Sequence, residues 1–413
     1  MACGCGYRKR LREDRDVRRA IKTHYLDYCA TTPSDPRTLG AFERACRANW
    51  ANPSSAHACG IAAAERLDEY RLIVAKAFAS SADGLSFCAS GSEALHAGIW
   101  GLAARYPKLR FVTTATEHSS VRAPLRLLRS LGRDVRECRV DGDGRIDPDH
   151  LRGLIRAPDI DSETKNIPRT VLIYSPVNHE TGTVQNVRVI WNTLIEADAL
   201  AFIDAVQTAP RLQAADWAPY AHLFAVSAHK LYAPKGSACL WKAPELKLRP
   251  FRYGGGQENG LFPGTENVPG IAAFAEAAKI LAENLKNERM MMNALERDFF
   301  TACEQRGVPV EKESAGDHAP GVFCLSFPWI SDMEEFMTGL ARKGVCVSRF
   351  SACSDRADGP SKTLLAMGRT KERAKRSLRI GLGRFSARED VIALARSLED
   401  SFKTATSPPV PTP

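Results

Sequence analysis

With 413 residues, 44% hydrophobic and 25% charged, the chain has an ordinary globular composition, which excludes global disorder and a fibrous repeat. No apolar run approaches the ~20 residues that a membrane span needs. The formal net charge of +9 is scattered without an aromatic-interleaved stripe, so it reads as a solvated basic surface rather than a footprint for nucleic acid or acidic proteins.

Residues 1–20 place Glu13, Asp14 and Asp16 among their basic residues and lack an apolar stretch. Neither a secretory signal nor a transit peptide is expected, and the protein is read as cytoplasmic. The twelve cysteines are irregularly spaced and mostly sit in apolar segments, the pattern of reduced thiols and not of a disulfide framework. Cys3 and Cys5 suit an extra sulfur relay or a metal-binding pair, but without further cysteine or histidine at metal spacing a disordered terminus is the default reading.

Helical and strand-like runs alternate from residue 61 onward: helix 61–78, strand 85–88, helix 93–105, strand 110–114 and helix 121–131. Strand 171–174, helix 189–198 and strands 200–204, 223–226 and 238–241 follow. The alternation predicts an α/β fold whose largely parallel sheet is covered on both faces. Between these runs, DGDGRID at 141–147 lacks the full spacing and closing glutamate of a calcium loop and reads as a strand-to-helix turn. A long helix over 268–303 leads out of this domain. Strand 322–327, helix 332–343, strands 345–347 and 378–382 and helix 387–402 then form a compact α+β unit. The expected division is a large domain over 33–285, a smaller one built from 1–32 and 286–405, and a proline-rich disordered tail at 406–413.

Ligands of such sheets bind beyond the carboxyl ends of the strands, and several short motifs fall there. Ser90, Gly91 and Ser92 open a helix, where backbone N–H groups and the Ser92 hydroxyl can cradle a phosphate or where the serine simply caps. His118 follows strand 110–114, either to stack on a ring and relay protons or as an ordinary loop histidine. Asn178 follows strand 171–174 and suits a ring-hydroxyl contact or a turn. Strand 200–204 delivers Asp204, with Gln207 one turn on; a carboxylate there can hold a pyridinium protonated, or cap a helix. Lys230 ends Ser-Ala-His-Lys between two apolar runs, which suits a Schiff-base lysine or a lysine whose stem packs while its head reaches water.

Together with YLDYCATTP from Tyr25, NPSSAH at 52–57, GGGQE at 254–258, PGTEN at 263–267, SAC at 351–353 and LRIGLGRFS ending at Ser386, these motifs resemble the class V aminotransferase superfamily of fold-type I pyridoxal-phosphate enzymes. Within it the chain looks like a cysteine desulfurase. The resemblance implies a mostly parallel seven-stranded sheet and pyridoxal 5'-phosphate as cofactor, carried by Lys230. It pairs Asp204 with the pyridine nitrogen, stacks His118 on the ring, and turns Asn178 and Gln207 toward the ring hydroxyl. Gly91, Ser92, Ser227 and His229 match the positions that hold the phosphate. Thr265 matches a threonine that reaches the phosphate of the neighbouring subunit, which implies a homodimer. Arg379 matches the arginine that fixes the carboxylate of L-cysteine, with Asn178 as a further substrate contact; a structural acid is the alternative partner for this arginine.

Cys353 is the cysteine that the resemblance makes catalytic. It lies in the polar stretch 348–362 beside Arg349 and Arg356, which favour the thiolate, whereas Cys88, Cys239 and Cys324 occupy apolar runs. The implied reaction moves the sulfur of L-cysteine onto Cys353 as a persulfide, leaves L-alanine, and passes the sulfur to an iron–sulfur scaffold or a thiolation protein. A transient iron–sulfur cluster on Cys353 is the one metal expectation. His118 is the candidate acid/base at the thiol proton. Another class V activity, such as a selenocysteine lyase or an aminotransferase, and a sulfur-trafficking scaffold are the competing readings. Phe350, Phe262, His179, Ala228 and His96 depart from glycine, arginine, asparagine, glycine and asparagine at the corresponding places, which leaves the cofactor assignment intact and the acceptor open.

Overall fold

The computed structural model describes residues 22–156, 169–350 and 359–406. Cys353 and the Cys3 and Cys5 pair lie outside the described residues, as do residues 407–413.

The first part of the chain gives β1 (His24–Tyr25), α1 (Pro36–Ala48), α2 (Ala58–Ala77), β2 (Leu85–Cys88), α3 (Gly91–Arg105), β3 (Arg110–Thr114) and α4 (Ser119–Ser130). β4 (Val135–Cys138), α5 (Pro148–Ile155), β5 (Thr170–Tyr174), α6 (Val187–Ile195), β6 (Leu200–Asp204), β7 (Leu223–Ser227) and β8 (Ala238–Lys242) follow. The remainder is α7 (Val268–Gln305), β9 (Glu311–Lys312), β10 (Val322–Ser326), α8 (Met333–Arg342), β11 (Val345–Cys346), α9 (Lys362–Ala366), α10 (Lys371–Lys375), β12 (Ser377–Gly381) and α11 (Arg388–Thr406). Thr406, placed by sequence in the tail, is thus the last residue of a helix.

Seven strands form one sheet in the order β2-β8-β7-β6-β5-β3-β4, with β8 antiparallel to both of its neighbours and the strands from β7 to β4 parallel. β5, β6 and β7 are buried along their whole length, as strands covered on both faces must be. Their side chains alternate between two cores. Val171, Ile173, Phe202 and Leu223 pack with Leu95 of α3 and Leu125 of α4; Leu172, Ala201, Ile203 and Phe224 pack with Leu67 of α2, Leu151 of α5 and Leu194 of α6. α3 lies so close to the sheet that a Cβ on Gly98 would come within 2.4 Å of the Phe202 ring, which only glycine avoids.

The second unit is smaller: β10 pairs antiparallel with β12 and β9, and β1 pairs parallel with β11. α7 joins the units. Its residues from Ile271 to Leu285 belong to a core of the large sheet, and those from Met292 to Cys303 to a core with Leu26, Phe323, Leu378 and Leu394. The predicted α/β class, a mostly parallel seven-stranded sheet beside a smaller α+β unit, is the architecture of the chain.

DGDGRID is a turn. The Asp141 carboxylate accepts the N–H groups of Asp143 and Arg145 at 2.9 and 2.8 Å, and Asp147 caps α5. Among the described residues no cluster of three or more His, Cys, Asp or Glu side chains could hold a metal ion, and no helix is long and apolar enough to cross a membrane.

Candidate active site

The carboxyl ends of the strands converge on one cleft of about 220 Å³. Gly91 and Ser92 after β2, His118 after β3, Asp204 and Gln207 at the end of β6, Ser227, His229 and Lys230 at the end of β7, and Arg379 on β12 all line it. Two expected residues stand apart. Asn178 is consumed by its own loop: its Oδ1 accepts the N–H groups of Glu180 and Thr181 at 2.9 and 3.0 Å, and its Nδ2 donates to the Thr116 carbonyl at 3.0 Å. Its neighbour His179 lines the cleft instead. Thr265 is exposed and lines a separate hollow with Cys88 and Glu93.

One side of the cleft is formed by the start of α3. Ser90 caps α3 by accepting the Glu93 N–H at 3.2 Å, which places Gly91 and Ser92 in the first turn, where N–H groups lack helical partners. A Cβ on Gly91 would meet Val206 at 2.9 Å and Ser227 at 3.2 Å, so glycine lets the helix start approach the neighbouring strand ends. An anion there gains the helix dipole as well as the N–H groups.

Lys230 sits in a single helical turn after β7. Its Nζ donates to the carbonyl of Cys29 and, at 2.8 Å, to that of Ala30. Gln207 shares the first acceptor, its Nε2 donating to Cys29 at 2.7 Å. These partners are neutral. Burial therefore pushes the Lys230 ammonium down to about 8, aided by the charge of Arg379. Asp204 is buried at the end of β6, where its Oδ1 accepts the Val206 N–H at 3.0 Å; burial holds its carboxyl above the ordinary range. A cationic ring nitrogen near it would supply the missing countercharge. His229 meets the Thr31 hydroxyl through Nδ1 at 3.0 Å, and burial pushes it down to about 4.

His118 caps α4. Its Nδ1 accepts the Ser120 N–H at 3.1 Å and meets the Ser120 hydroxyl at 2.7 Å, and burial, with His179 and Lys230 near, pushes the imidazole down to about 3. Arg379 is buried, and the acid beside it is Asp27: Nη2 donates to Asp27 Oδ1 at 2.8 Å and Nη1 to the His179 carbonyl at 3.2 Å. Burial disfavours the guanidinium charge, but Asp27, with Cys29 and Glu180 near, more than offsets it and raises Arg379 above its usual range.

Three residues of the site escaped the sequence reading. Asp27 stood inside the quoted motif YLDYCATTP, but its partner lies 352 residues away. Glu117, next to His118, is buried beneath the cleft, accepts the hydroxyls of Thr114 and Ser175 at 2.9 and 2.7 Å, and is pushed up to about 7 by burial. Glu180 follows His179 and is likewise buried. An anion cradle, a strand-end carboxylate and a low-basicity amine along one cleft are the groups that a phosphorylated, protonatable aromatic aldehyde requires.

A family model described as aminotransferase class-V matches residues 24–394. The cysteine desulfurase IscS of Anaeromyxobacter dehalogenans is 33% identical over 374 residues, covering 89% of this chain and 89% of that protein. Among solved structures, a NifS-like protein superposes with a TM-score of 0.81 at 27% identity, over 92% of this chain and 99% of its own. SspA in complex with cysteine superposes with a TM-score of 0.72 at 25% identity, over 88% and 99%. On that match, and on a cleft built where such sheets bind their ligands, the chain belongs to the class-V aminotransferase family, with cysteine desulfurases of the IscS and NifS kind among its relatives.

Proposed function

We propose that this protein is a pyridoxal 5'-phosphate-dependent cysteine desulfurase, which converts L-cysteine to L-alanine and passes the sulfur through Cys353 to an acceptor protein. The observation that carries this reading is Lys230, an amine held by neutral carbonyls and lowered to about 8 in the same cleft as Asp204. When bound, the cofactor supplies an electron sink for bond cleavage in the amino acid.

The chain's own residues do the rest. Gly91, Ser92, Ser227 and His229 would hold the phosphate, and Asp204 would keep a proton on the ring nitrogen. Gln207 and His118, which line the cleft, would contact the cofactor ring, and Asn178 fixes the loop that carries His179. Lys230 anchors the cofactor and accepts the proton from the substrate α-carbon. Arg379, its charge secured by Asp27, binds the substrate carboxylate. The kinship with IscS and NifS proteins supports L-cysteine as substrate. Thr265, exposed away from the cleft, fits a role at the site of a second copy, and the working unit is a homodimer.

The decisive experiment is Cys353→Ala in the holoenzyme. It is expected to keep the cofactor absorbance and lose both the persulfide and the formation of L-alanine. Turnover of L-cysteine at the wild-type rate would overturn the persulfide mechanism in favour of a lyase.

A further inference from the structure

We propose that the ion pair of Arg71 and Glu258 is a positioning device: it pins the loop 254–264 to the free edge of the large sheet, so that Thr265 is presented to the phosphate site of a second copy. This rests on the reading of Thr265 as a residue lent to a neighbouring subunit. Neither Arg71 nor Glu258 lines the cleft itself.

β2 is an edge strand, with β8 on one side only. The outward N–H and C=O groups of such a strand lack a strand partner and must find another. Side chains take that place here. Glu258 Oε2 accepts the Phe87 N–H at 2.7 Å, and Arg71 Nη1, from α2, donates to the Leu85 carbonyl at 2.9 Å. The two side chains close on each other as a fork, Nη1 to Oε2 at 2.6 Å and Nη2 to Oε1 at 2.9 Å. Asn259 adds a further tie, its Nδ2 donating to the Ser86 hydroxyl at 3.0 Å. Burial disfavours the Arg71 charge, but Glu258, with Asp68 and Glu266 near, outweighs it and raises Arg71 above its usual range.

The backbone of the loop shows that it is held. Glu258 and Asn259 both take the left-handed region, at φ 51° and 59°. Asparagine tolerates that conformation, but two consecutive non-glycine residues persist in it only where the surrounding contacts impose it. The hold passes along the loop: the Glu258 carbonyl accepts the Leu261 N–H at 3.1 Å, and Gln257 Oε1 accepts the Gly264 N–H at 3.3 Å. Thr265 comes next and is exposed. Two residues on, Asn267 caps α7 by accepting the Gly270 N–H at 3.1 Å. Thr265 is thus presented between two fixed points, one on the sheet edge and one on a helix start.

Without the pair the loop is free, and Thr265 could meet a phosphate only after the loop had been ordered again, at a cost in conformational entropy. The loss is confined to ligands that carry a phosphate.

The test loads the full-length chain with pyridoxal phosphate or with pyridoxal, which lacks the phosphate, and measures the dissociation constant of each by absorbance titration. Glu258→Gln is compared with Thr265→Val, and both are expected to weaken pyridoxal phosphate about tenfold and leave pyridoxal unchanged. Arg71→Lys, which keeps the cation and loses the fork, should act in the same direction and carries the test should Glu258→Gln fail to fold. Joining Glu258→Gln to Thr265→Val should add no further loss, because both remove one contact. Equal losses for the two ligands, losses that multiply in the double variant, or Glu258→Gln and Arg71→Lys proteins with wild-type affinity beside a weakened Thr265→Val overturn this proposal alone. A Thr265→Val protein with wild-type affinity for pyridoxal phosphate removes the reading of Thr265 on which it rests.

Discussion

Lys230 and Arg379 are two cations in one cleft, and the structure treats them in opposite ways. Lys230, at the end of the seven-stranded sheet, donates among the described residues to the carbonyls of Cys29 and Ala30, and burial takes it down to about 8. Arg379, on the three-stranded sheet, meets Asp27 at 2.8 Å, and the second oxygen of that acid accepts the Ser348 hydroxyl at 2.7 Å. Burial acts on both; the partner decides which charge survives. One sheet end thereby offers an amine that can lose its proton, and the other a cation that cannot.

The comparison breaks most visibly at Lys230. Lys230→Ala is expected to bring L-alanine formation below detection and to abolish the borohydride-trappable adduct, while the protein keeps its melting temperature. A trapped adduct on the same peptide would remove Lys230 from the cofactor.

Asp27→Asn attacks the other side. It leaves the Arg379 guanidinium buried without an anion, and breaking such a pair costs about 3–5 kcal/mol of stability. A denaturant titration reads this directly. A midpoint equal to wild type would mean that the arginine finds its countercharge elsewhere.

Arg379→Lys keeps the charge and loses the planar fork. A charge-assisted hydrogen bond contributes about 1.5–3 kcal/mol, so KM for L-cysteine should rise roughly tenfold or more with the cofactor absorbance unchanged. An unchanged KM would reduce Arg379 to the structural partner of Asp27.

How far this contrast was legible in the sequence follows from range. β5, β6 and β7 are continuous apolar runs because both of their faces are covered, and the residues after them announce the site. β4 was missed, since an edge strand with exposed Arg136 and Glu137 carries no such run. The site residues were found one loop at a time, and the limit shows at 178–179. An asparagine after a strand suits a ring contact or a turn equally well, and only the neighbouring N–H groups reveal that the turn takes it. The partners that set the charges, Asp27 with Arg379 and Glu180 with Ser361, join segments 352 and 181 residues apart. No local pattern encodes such a meeting.

The smallest effect separates burial from neighbouring charge at Lys230. The neutral amine is the form that attacks an aldehyde, so covalent capture of the cofactor by the cofactor-free protein should rise with pH through about 8. Burial is the larger cause of that low value and the Arg379 charge the next. Arg379→Leu removes the repulsion and leaves Asp27 as an unpaired anion nearby; both changes favour the ammonium, so the capture profile moves to higher pH. Arg379→Lys keeps the positive charge and should leave the profile in place. The measurement is the growth of the cofactor absorbance band against pH for the three proteins. A profile that stays at about 8 in Arg379→Leu would assign the low basicity of Lys230 to burial alone, and the two cations of the cleft would then be independent of each other.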